Sequence, residues 1–211
     1  AGYLEGFYYR PRIDMDLLRE YSEGLICMSA CLKGVVPEKM LKGDYEGAKK
    51  EALLFSEIFQ DRYYLEIQNH GIPEEEQNLK NMKKLSQDLN LPLVCTNDAH
   101  YAKKEHWEAH DIHICLGTGK ERSDPNRLRY ATPEFYFKTQ DEMHKLFKEF
   151  PGAIENTRKI ADSIDITLPI GESHLPNFPI PKEANMSDPD EYLKSITESG
   201  AQNLYGEITP E

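Results

Sequence analysis

Hydrophobic positions alternate between strand-like and helix-like spacing over the first hundred residues. Residues 63–68 alternate aromatic or aliphatic with polar side chains, as a strand does, while residues 25–28 and 93–96 are short apolar runs typical of buried strands. Between them, apolar side chains recur three or four positions apart in two segments: Ala48, Ala52, Phe55 and Phe59, then Leu79, Met82, Leu85 and Leu89. The pattern therefore predicts strand, helix, strand, helix, strand.

Capping signals support these two helices and predict others. Asp44 is a favoured N-cap residue, and Pro73 with the three glutamates after it suits the first turn of a helix. Further helices are predicted at residues 14–21, 105–116, 139–147, 153–163 and 189–204. Strands that alternate with helices at this rhythm form βαβ units, so we predict an α/β fold with a parallel sheet.

Composition changes once along the chain. Five prolines fall between residues 169 and 189, which marks a linker. No apolar run approaches the roughly 18–20 residues that a membrane span requires, so we expect a cytoplasmic protein with no membrane partner. The net charge of −12 argues against a surface that coats nucleic acid, and any contact with DNA must come from a local cleft or from a neighbouring domain.

Seven short strings, in their order along the chain, carry a resemblance to a known family. They are GFYYRPRID (6–14), MSACLKG (28–34), LEIQNHG (65–71), TNDAHY (96–101), EAHD (108–111), GTGK (117–120) and DPNR (124–127). The set resembles the alpha subunit of bacterial DNA polymerase III, the replicative polymerase. The string LPNFP (175–179) resembles the point at which that family enters its palm domain.

The resemblance implies a fold and a domain division. Residues 1–165 are similar to the C-terminal portion of a PHP (polymerase and histidinol phosphatase) domain, part of an irregular β/α barrel with parallel strands. Residues 166–211 resemble the proline-rich linker and the start of the palm, with one helix. The family's opening His-x-His motif and its palm aspartates have no counterpart in these strings, so we expect a piece of a longer protein.

The implied function is DNA-directed DNA synthesis with magnesium, in which DNA, deoxynucleoside triphosphates and other replicase subunits are the partners. We expect no catalytic residue of polymerisation in the chain and no primer extension by the chain alone. The PHP region is expected to bind zinc or manganese and to support 3′–5′ exonuclease or phosphoesterase activity. Two alternatives stay open: a PHP scaffold without catalysis, and a free-standing PHP phosphoesterase.

Asp98 and His100 form the strongest candidate metal pair. Residues two apart at a strand end share a face, so a carboxylate and an imidazole can converge on one ion of zinc or manganese. A loop aspartate beside a half-exposed histidine is the structural alternative. The family resemblance favours the metal, because the motif matches the family's metal pair.

His70 and Cys31 complete the predicted ligand set. Each follows a predicted strand, so parallel strands bring them towards Asp98. The resemblance implies ligation by both, whereas a lone histidine is usually structural and a cysteine often packs as a small hydrophobe. Glu66 is a candidate partner of the ligands, although a solvated glutamate is the more common case.

Basic residues cluster in one loop, and histidines in one helix. Lys120, Arg122, Arg127 and Arg129 are the candidates for contact with a DNA backbone, against the ordinary alternative of a solvated run. His106, His110 and His113 lie on one face of the predicted helix over 105–116, where packing explains them better than metal binding.

Overall fold

A computed structural model describes residues 1–173 and 176–206 of the chain. It divides into two compact units, Ala1–Asp165 and Ile166–Glu211. In the described residues, no helix is both long and apolar enough to cross a membrane. The assignment of the two units to a PHP portion and a palm entry stays a prediction.

The first unit contains a three-stranded parallel sheet, as predicted. Its elements run α1 (Met15–Glu20), β1 (Cys27–Met28), α2 (Val35–Leu41), α3 (Tyr45–Phe59), β2 (Tyr63–Ile67), α4 (Pro73–Leu89), β3 (Leu93–Cys95), α5 (Trp107–Thr118), α6 (Gln140–Leu146) and α7 (Ala153–Ser163). The strand order is β1-β2-β3, with Cys27 beside Tyr63 and Ile67 beside Cys95. The α/β prediction is confirmed.

The core lies where the predicted helical faces meet the central strand. Tyr63, Leu65 and Ile67 of β2 are buried, and the residues between them are half-buried, which gives the alternation expected of a strand. Ala48 and Ala52 of α3 are fully buried against this core, and so are Met82 and Leu85 of α4. Burial of this apolar stripe, rather than intrinsic propensity, holds both helices in place.

Helix ends follow the sequence signals. Asp44 accepts a hydrogen bond from the Gly47 amide (2.9 Å) at the start of α3, and Pro73 stands at the first position of α4. Thr139 and Glu142 form a reciprocal capping box at the start of α6. The starts of α4 and α6 mark where the loops before these helices end, and the first of those loops carries His70.

The outer edge of β3 is covered by α7. The Asn156 amide of that helix donates a hydrogen bond to the Leu93 carbonyl at 2.7 Å, and both residues are buried. The helix thereby satisfies a strand carbonyl that would otherwise be an open edge.

Two elements differ from the sequence prediction. β1 spans only Cys27–Met28, because the Leu25 carbonyl accepts a hydrogen bond from Arg62 instead of pairing in the sheet, and Leu25 is exposed. The helix α2 was not predicted, since it begins with two valines, which are weak helix formers. Burial of Val36 and Met40 in the core outweighs that preference.

The second unit contains α8 (Pro189–Tyr205), close to the predicted range of 189–204. Asp188 caps it by accepting hydrogen bonds from the amides of Asp190 and Glu191. Phe178 stacks on Tyr192 with ring centroids 6.0 Å apart. Leu175, the first residue of the LPNFP string, lies outside the described residues.

Candidate metal centre

The parallel sheet places the ends of β2 and β3 side by side. Ile67 and Cys95 are paired in register, so the segments that follow them leave the same edge of the sheet. The Thr96 amide donates to the Ile67 carbonyl at 3.0 Å, which extends the pairing by one residue. His70 lies three residues after Ile67 and Asp98 three residues after Cys95, so the two are thereby brought together.

Glu66 supports this edge from within β2. Its carboxylate accepts a hydrogen bond from the Thr96 hydroxyl. The side-chain amide of Gln68 donates to the oxygen of that hydroxyl at 2.9 Å. Glu66 is half-buried rather than freely solvated. It therefore tightens the strand end that carries Asp98.

His70 is buried, with 1% of its surface exposed, and both of its ring nitrogens have partners. The Asp98 amide donates to His70 Nε2 at 3.1 Å, and His70 Nδ1 lies 2.8 Å from Glu75 Oε1. The ring stacks flat on Phe135, with centroids 4.5 Å apart. His70 thus connects β2, the Asp98 loop and the first turn of α4.

Glu75 is the buried partner of His70. Burial raises the pKa of its carboxyl, but the hydrogen bonds from the His70 ring and from the His70 amide (2.6 Å) outweigh it, so the pKa lies below its usual value. Glu75 is therefore an ionised, hydrogen-bonded anchor. The sequence analysis treated it only as one of three acidic residues in the first turn of α4.

Asp98 and His100 are in direct contact. Asp98 Oδ1 lies 3.1 Å from His100 Nε2, with 48% and 33% of the two side chains exposed. The His100 amide donates to the Phe135 carbonyl at 2.8 Å, and the Tyr130 hydroxyl lies 3.0 Å from His100 Nε2. The two side chains therefore face solvent from a backbone that is held in place.

Cys31 opens on the same cleft as Asp98. The cleft has a volume of about 360 Å³, and Lys33, Arg129 and Tyr130 also line it. Cys31 is exposed. The structure thus brings a thiol, a carboxylate and basic side chains to one concave surface.

His110 of α5 packs beside this cleft. Its ring centroid is 5.8 Å from that of His100 and 5.3 Å from that of Tyr130. Burial lowers the pKa of His110, and the neighbouring His100 and His113 lower it further. His110 belongs to an aromatic cluster with Tyr130. The sequence analysis did not name Tyr130 as a site residue.

The fit of a metal ion differs among the four predicted ligands. Zinc bonds of about 2.0–2.2 Å place donor atoms within roughly 4 Å of one another, and Asp98 with His100 meets that limit. Cys31 lines the same cleft as Asp98. His70 places its Nδ1 against Glu75 and its Nε2 against the Asp98 amide, and ligation by His70 stays a prediction. Across the described residues, no three His, Cys, Asp or Glu side chains form a group able to hold a metal.

The four basic residues predicted to contact DNA have different surroundings. Lys120 pairs with Asp124 at 3.0 Å, and Arg122 lies 3.6 Å from Asp111. The Arg127 side chain is 4% exposed, and its guanidinium donates to both Asp111 oxygens at 2.6 and 2.8 Å. This buried ion pair gives Arg127 a structural role. Arg129 is exposed, lines the cleft and forms no ion pair with any residue in the described part of the chain.

The comparisons with known proteins agree with the resemblance. The PHP domain family matches residues 1–70. DNA polymerase III subunit alpha of Borreliella burgdorferi is 46% identical over 210 residues, covering 98% of this chain and 18% of that protein. The corresponding subunits of Treponema pallidum and Thermus aquaticus are 40% and 37% identical, covering 99% and 96% of this chain and 18% and 17% of those proteins.

The chain thus spans less than a fifth of the length of these relatives. Its fold is the one that the PHP match implies, with parallel strands connected through helices. The similarity extends over nearly all of the chain rather than over one motif. The chain is therefore similar, over nearly its whole length, to a segment of DNA polymerase III alpha subunits, and its first 70 residues match the PHP domain family.

Proposed function

We propose that the chain serves DNA-directed DNA synthesis as a segment of a replicative polymerase alpha subunit. The supporting observation is 46% identity over nearly its whole length to an alpha subunit. Template DNA, deoxynucleoside triphosphates and other replicase subunits are the expected partners of the longer protein, with magnesium at its polymerising site. The isolated chain is expected not to extend a primer.

A segment exchange tests this proposal. The matched segment of the Borreliella burgdorferi alpha subunit is replaced by this chain, and primer extension is measured with magnesium. A second chimera with the Treponema pallidum segment shows whether the host tolerates an exchange. We expect extension by both chimeras. Extension by the second chimera alone, with both equally folded by thermal melting, contradicts the proposal.

For the PHP region we propose a zinc or manganese site built on Asp98 and His100, with Cys31 as a further donor, which supports exonuclease or phosphoesterase chemistry. When bound, such an ion polarises a phosphoryl oxygen and lowers the pKa of a water. Asp98 and His100 would hold the ion, and the Tyr130 hydroxyl, 3.0 Å from His100 Nε2, would orient the imidazole. The observation that carries this proposal is the contact of 3.1 Å between His100 and Asp98, which lines the same open cleft as Cys31.

Metal content measured by elemental analysis tests this site in the first chimera. Asp98→Ala and His100→Ala should each lower bound zinc or manganese. Asp16→Ala removes an acidic side chain that is 94% exposed on α1 and should leave the content unchanged. Equal metal in all variants would end the proposal.

A scaffold without metal is the second candidate. The observation that favours it is the lack, in the part of the chain that the structure describes, of three clustered ligand side chains. On this view, the hydrogen bonds of Glu66, His70 and Glu75 stiffen a support for neighbouring parts of the polymerase. The scaffold predicts a chimera that carries no zinc or manganese even before any substitution.

We further propose that contact with DNA phosphates is made through Arg129. It is the basic side chain of the loop that combines exposure with the absence of an ion pair in the described residues. Fluorescence anisotropy with single-stranded DNA should show weaker binding and a shallower salt dependence, by about one unit, for Arg129→Ala. Arg158→Ala, at a site 81% exposed on α7, is the matched control. Equal affinity of the two variants would rule out this contact.

A further inference from the structure

A buried lysine lies in the segment that leads into α6. Lys138 has only 6% of its surface exposed. Its ammonium donates to the backbone carbonyl of Glu134, lies 3.5 Å from Asn97 Oδ1, and is 4.7 Å from the centre of the Tyr136 ring. All three of these groups are uncharged, so they solvate the ammonium without neutralising it.

The carboxylates around Lys138 are engaged with other side chains. Three of them attract its charge from a distance, and each already has its own partner: Glu134 binds Lys104, Glu142 binds Tyr136 and Glu75 binds His70. Within the described part of the chain, none of them forms an ion pair with Lys138. Burial lowers the pKa of the lysine, and these carboxylates only oppose that effect. Because a buried charge is costly until it is paired, Lys138 is a cation in need of an anion.

Lys138 lines a pocket of about 410 Å³ that lies apart from the cleft of Cys31 and Asp98. Cys95 of β3, Met143 of α6 and Ile154 of α7 give this pocket an apolar wall. Its volume falls in the range of roughly 300–1,000 Å³ that small-molecule sites occupy, and an apolar wall with a few polar groups is their usual composition.

The pocket lining also contains two exposed residues of opposite charge. Arg158 is 81% exposed and already pairs with Asp162 at 2.8 Å, and the Glu155 carboxylate is exposed. Water and salt screen both of these charges, whereas the buried ammonium of Lys138 acts through a medium of lower dielectric constant. The pocket therefore favours an anion placed against Lys138.

We propose that this pocket binds a mononucleotide, with its phosphate against Lys138 and its nucleoside against the apolar wall. A phosphate offers several acceptor oxygens to the ammonium in charge-assisted hydrogen bonds. The sulfur of Met143 and the side chain of Ile154 suit the flat face of a base. This proposal goes beyond the proposed function and does not depend on the metal site.

Titration of the ¹⁵N-labelled chain with thymidine 5′-monophosphate tests the proposal. Its ¹H–¹⁵N spectra should show saturable shifts at the amides of Lys138, Met143 and Ile154. Thymidine and inorganic phosphate, added separately, should each bind at least about tenfold more weakly. No saturable shift with the nucleotide overturns the proposal. Inorganic phosphate that binds as tightly as the nucleotide shows a site for free phosphate and overturns the assignment of the ligand.

Substitutions of charged residues in the lining test the role of the buried ammonium. Lys138→Met keeps the length of the side chain without its charge and should weaken nucleotide binding about tenfold or more. Arg158→Ala removes an exposed charge that is already paired and should change the affinity by less than about twofold. Equal affinities of these two variants, with both folded by thermal melting, contradict the proposal.

A second variant tests the pocket without altering the buried lysine. Thr157 is an exposed residue of α7 that lines the pocket, so Thr157→Trp should fill the space and abolish nucleotide binding while the chain stays folded. If Lys138→Met fails to fold, this variant decides the outcome. Unchanged binding by folded Thr157→Trp shows that the nucleotide lies elsewhere and overturns the proposal.

Discussion

Replacement of Arg127 by alanine should destabilise the first unit rather than weaken contact with DNA. Its guanidinium binds both oxygens of Asp111 on α5, and it also donates to the carbonyls of Arg122 and Leu128. The Arg127 hydrogen bonds hold down the pKa of the Asp111 carboxyl. The substitution removes the fork, the two hydrogen bonds from Arg127 to the Asp111 oxygens, and leaves the Asp111 carboxylate, whose side chain is 10% exposed, without them.

The geometry sets the size of the effect. Removal of one partner of a buried ion pair costs about 3–5 kcal/mol, because the other charge stays buried without compensation. Arg122, at 3.6 Å from Asp111, can move closer and restore part of the loss. We therefore expect about 3 kcal/mol for Arg127→Ala, a fall of about 1–2 M in the urea midpoint. Asp111→Ala combined with it should cost clearly less than the sum of the two.

Urea unfolding followed by circular dichroism measures these values. Arg158→Ala breaks an exposed pair between positions four apart and should cost less than about 0.5 kcal/mol. Arg129→Ala should leave the midpoint unchanged. If Arg127→Ala matches the Arg158 control, the fork does not stabilise the loop, and Arg127 becomes available for the DNA contact that the sequence predicted.

Two further predictions concern single positions. Hydrogen bonds from Tyr136 and from the N-cap of α6 hold the pKa of Glu142 to about 2 against an ordinary 4.5, so the stability it adds is present above pH 4.5 and is lost as pH falls towards 2. The difference in urea midpoint between wild type and Glu142→Gln should shrink over that range; a constant difference would contradict this. Gly34→Ala should lower the melting temperature, because its Cβ would overlap the carbonyl oxygen of Ser29, whereas Gly117→Ala, in open space on α5, should raise stability by about 0.5 kcal/mol. Equal melting of the two alanine variants would refute the steric argument.

The parts of the fold that depend on local periodicity could be predicted from the sequence. β2 and β3 are marked by alternation and by continuous burial, and α3 and α4 by apolar stripes with clear caps. The helix α2 could not be predicted in this way, because its two valines are weak helix formers and it is tertiary burial that favours it. Local propensity and the final fold disagree there, and packing decides.

The site could be predicted only as far as topology determines it. Parallel strands place His70 and Asp98 at one edge, so their proximity follows from the sequence pattern. The hydrogen-bond partners of each side-chain atom do not follow from that pattern. Glu75 in the first turn of α4 is hydrogen-bonded to His70, and the orientation of that turn depends on tertiary packing. Asp111 pairs with Arg127 of the basic loop and not with Arg129. Residue type and spacing cannot distinguish a ligand from a side chain already bound.

Around Asp98, the backbone is held by hydrogen bonds while the side chains of the candidate metal pair stay exposed. Three backbone amides hold the loop that carries Asp98. The Thr96 amide donates to the Ile67 carbonyl, the Asp98 amide to His70 Nε2, and the His100 amide to the Phe135 carbonyl. Because these bonds use backbone groups, the carboxylate of Asp98 and the imidazole of His100 remain half-exposed on the other side. Fixed backbone under exposed donors is the condition under which two ligands can hold an ion without reorganisation. His70 supports this backbone from the buried side, because its Nε2 accepts the hydrogen bond of the Asp98 amide.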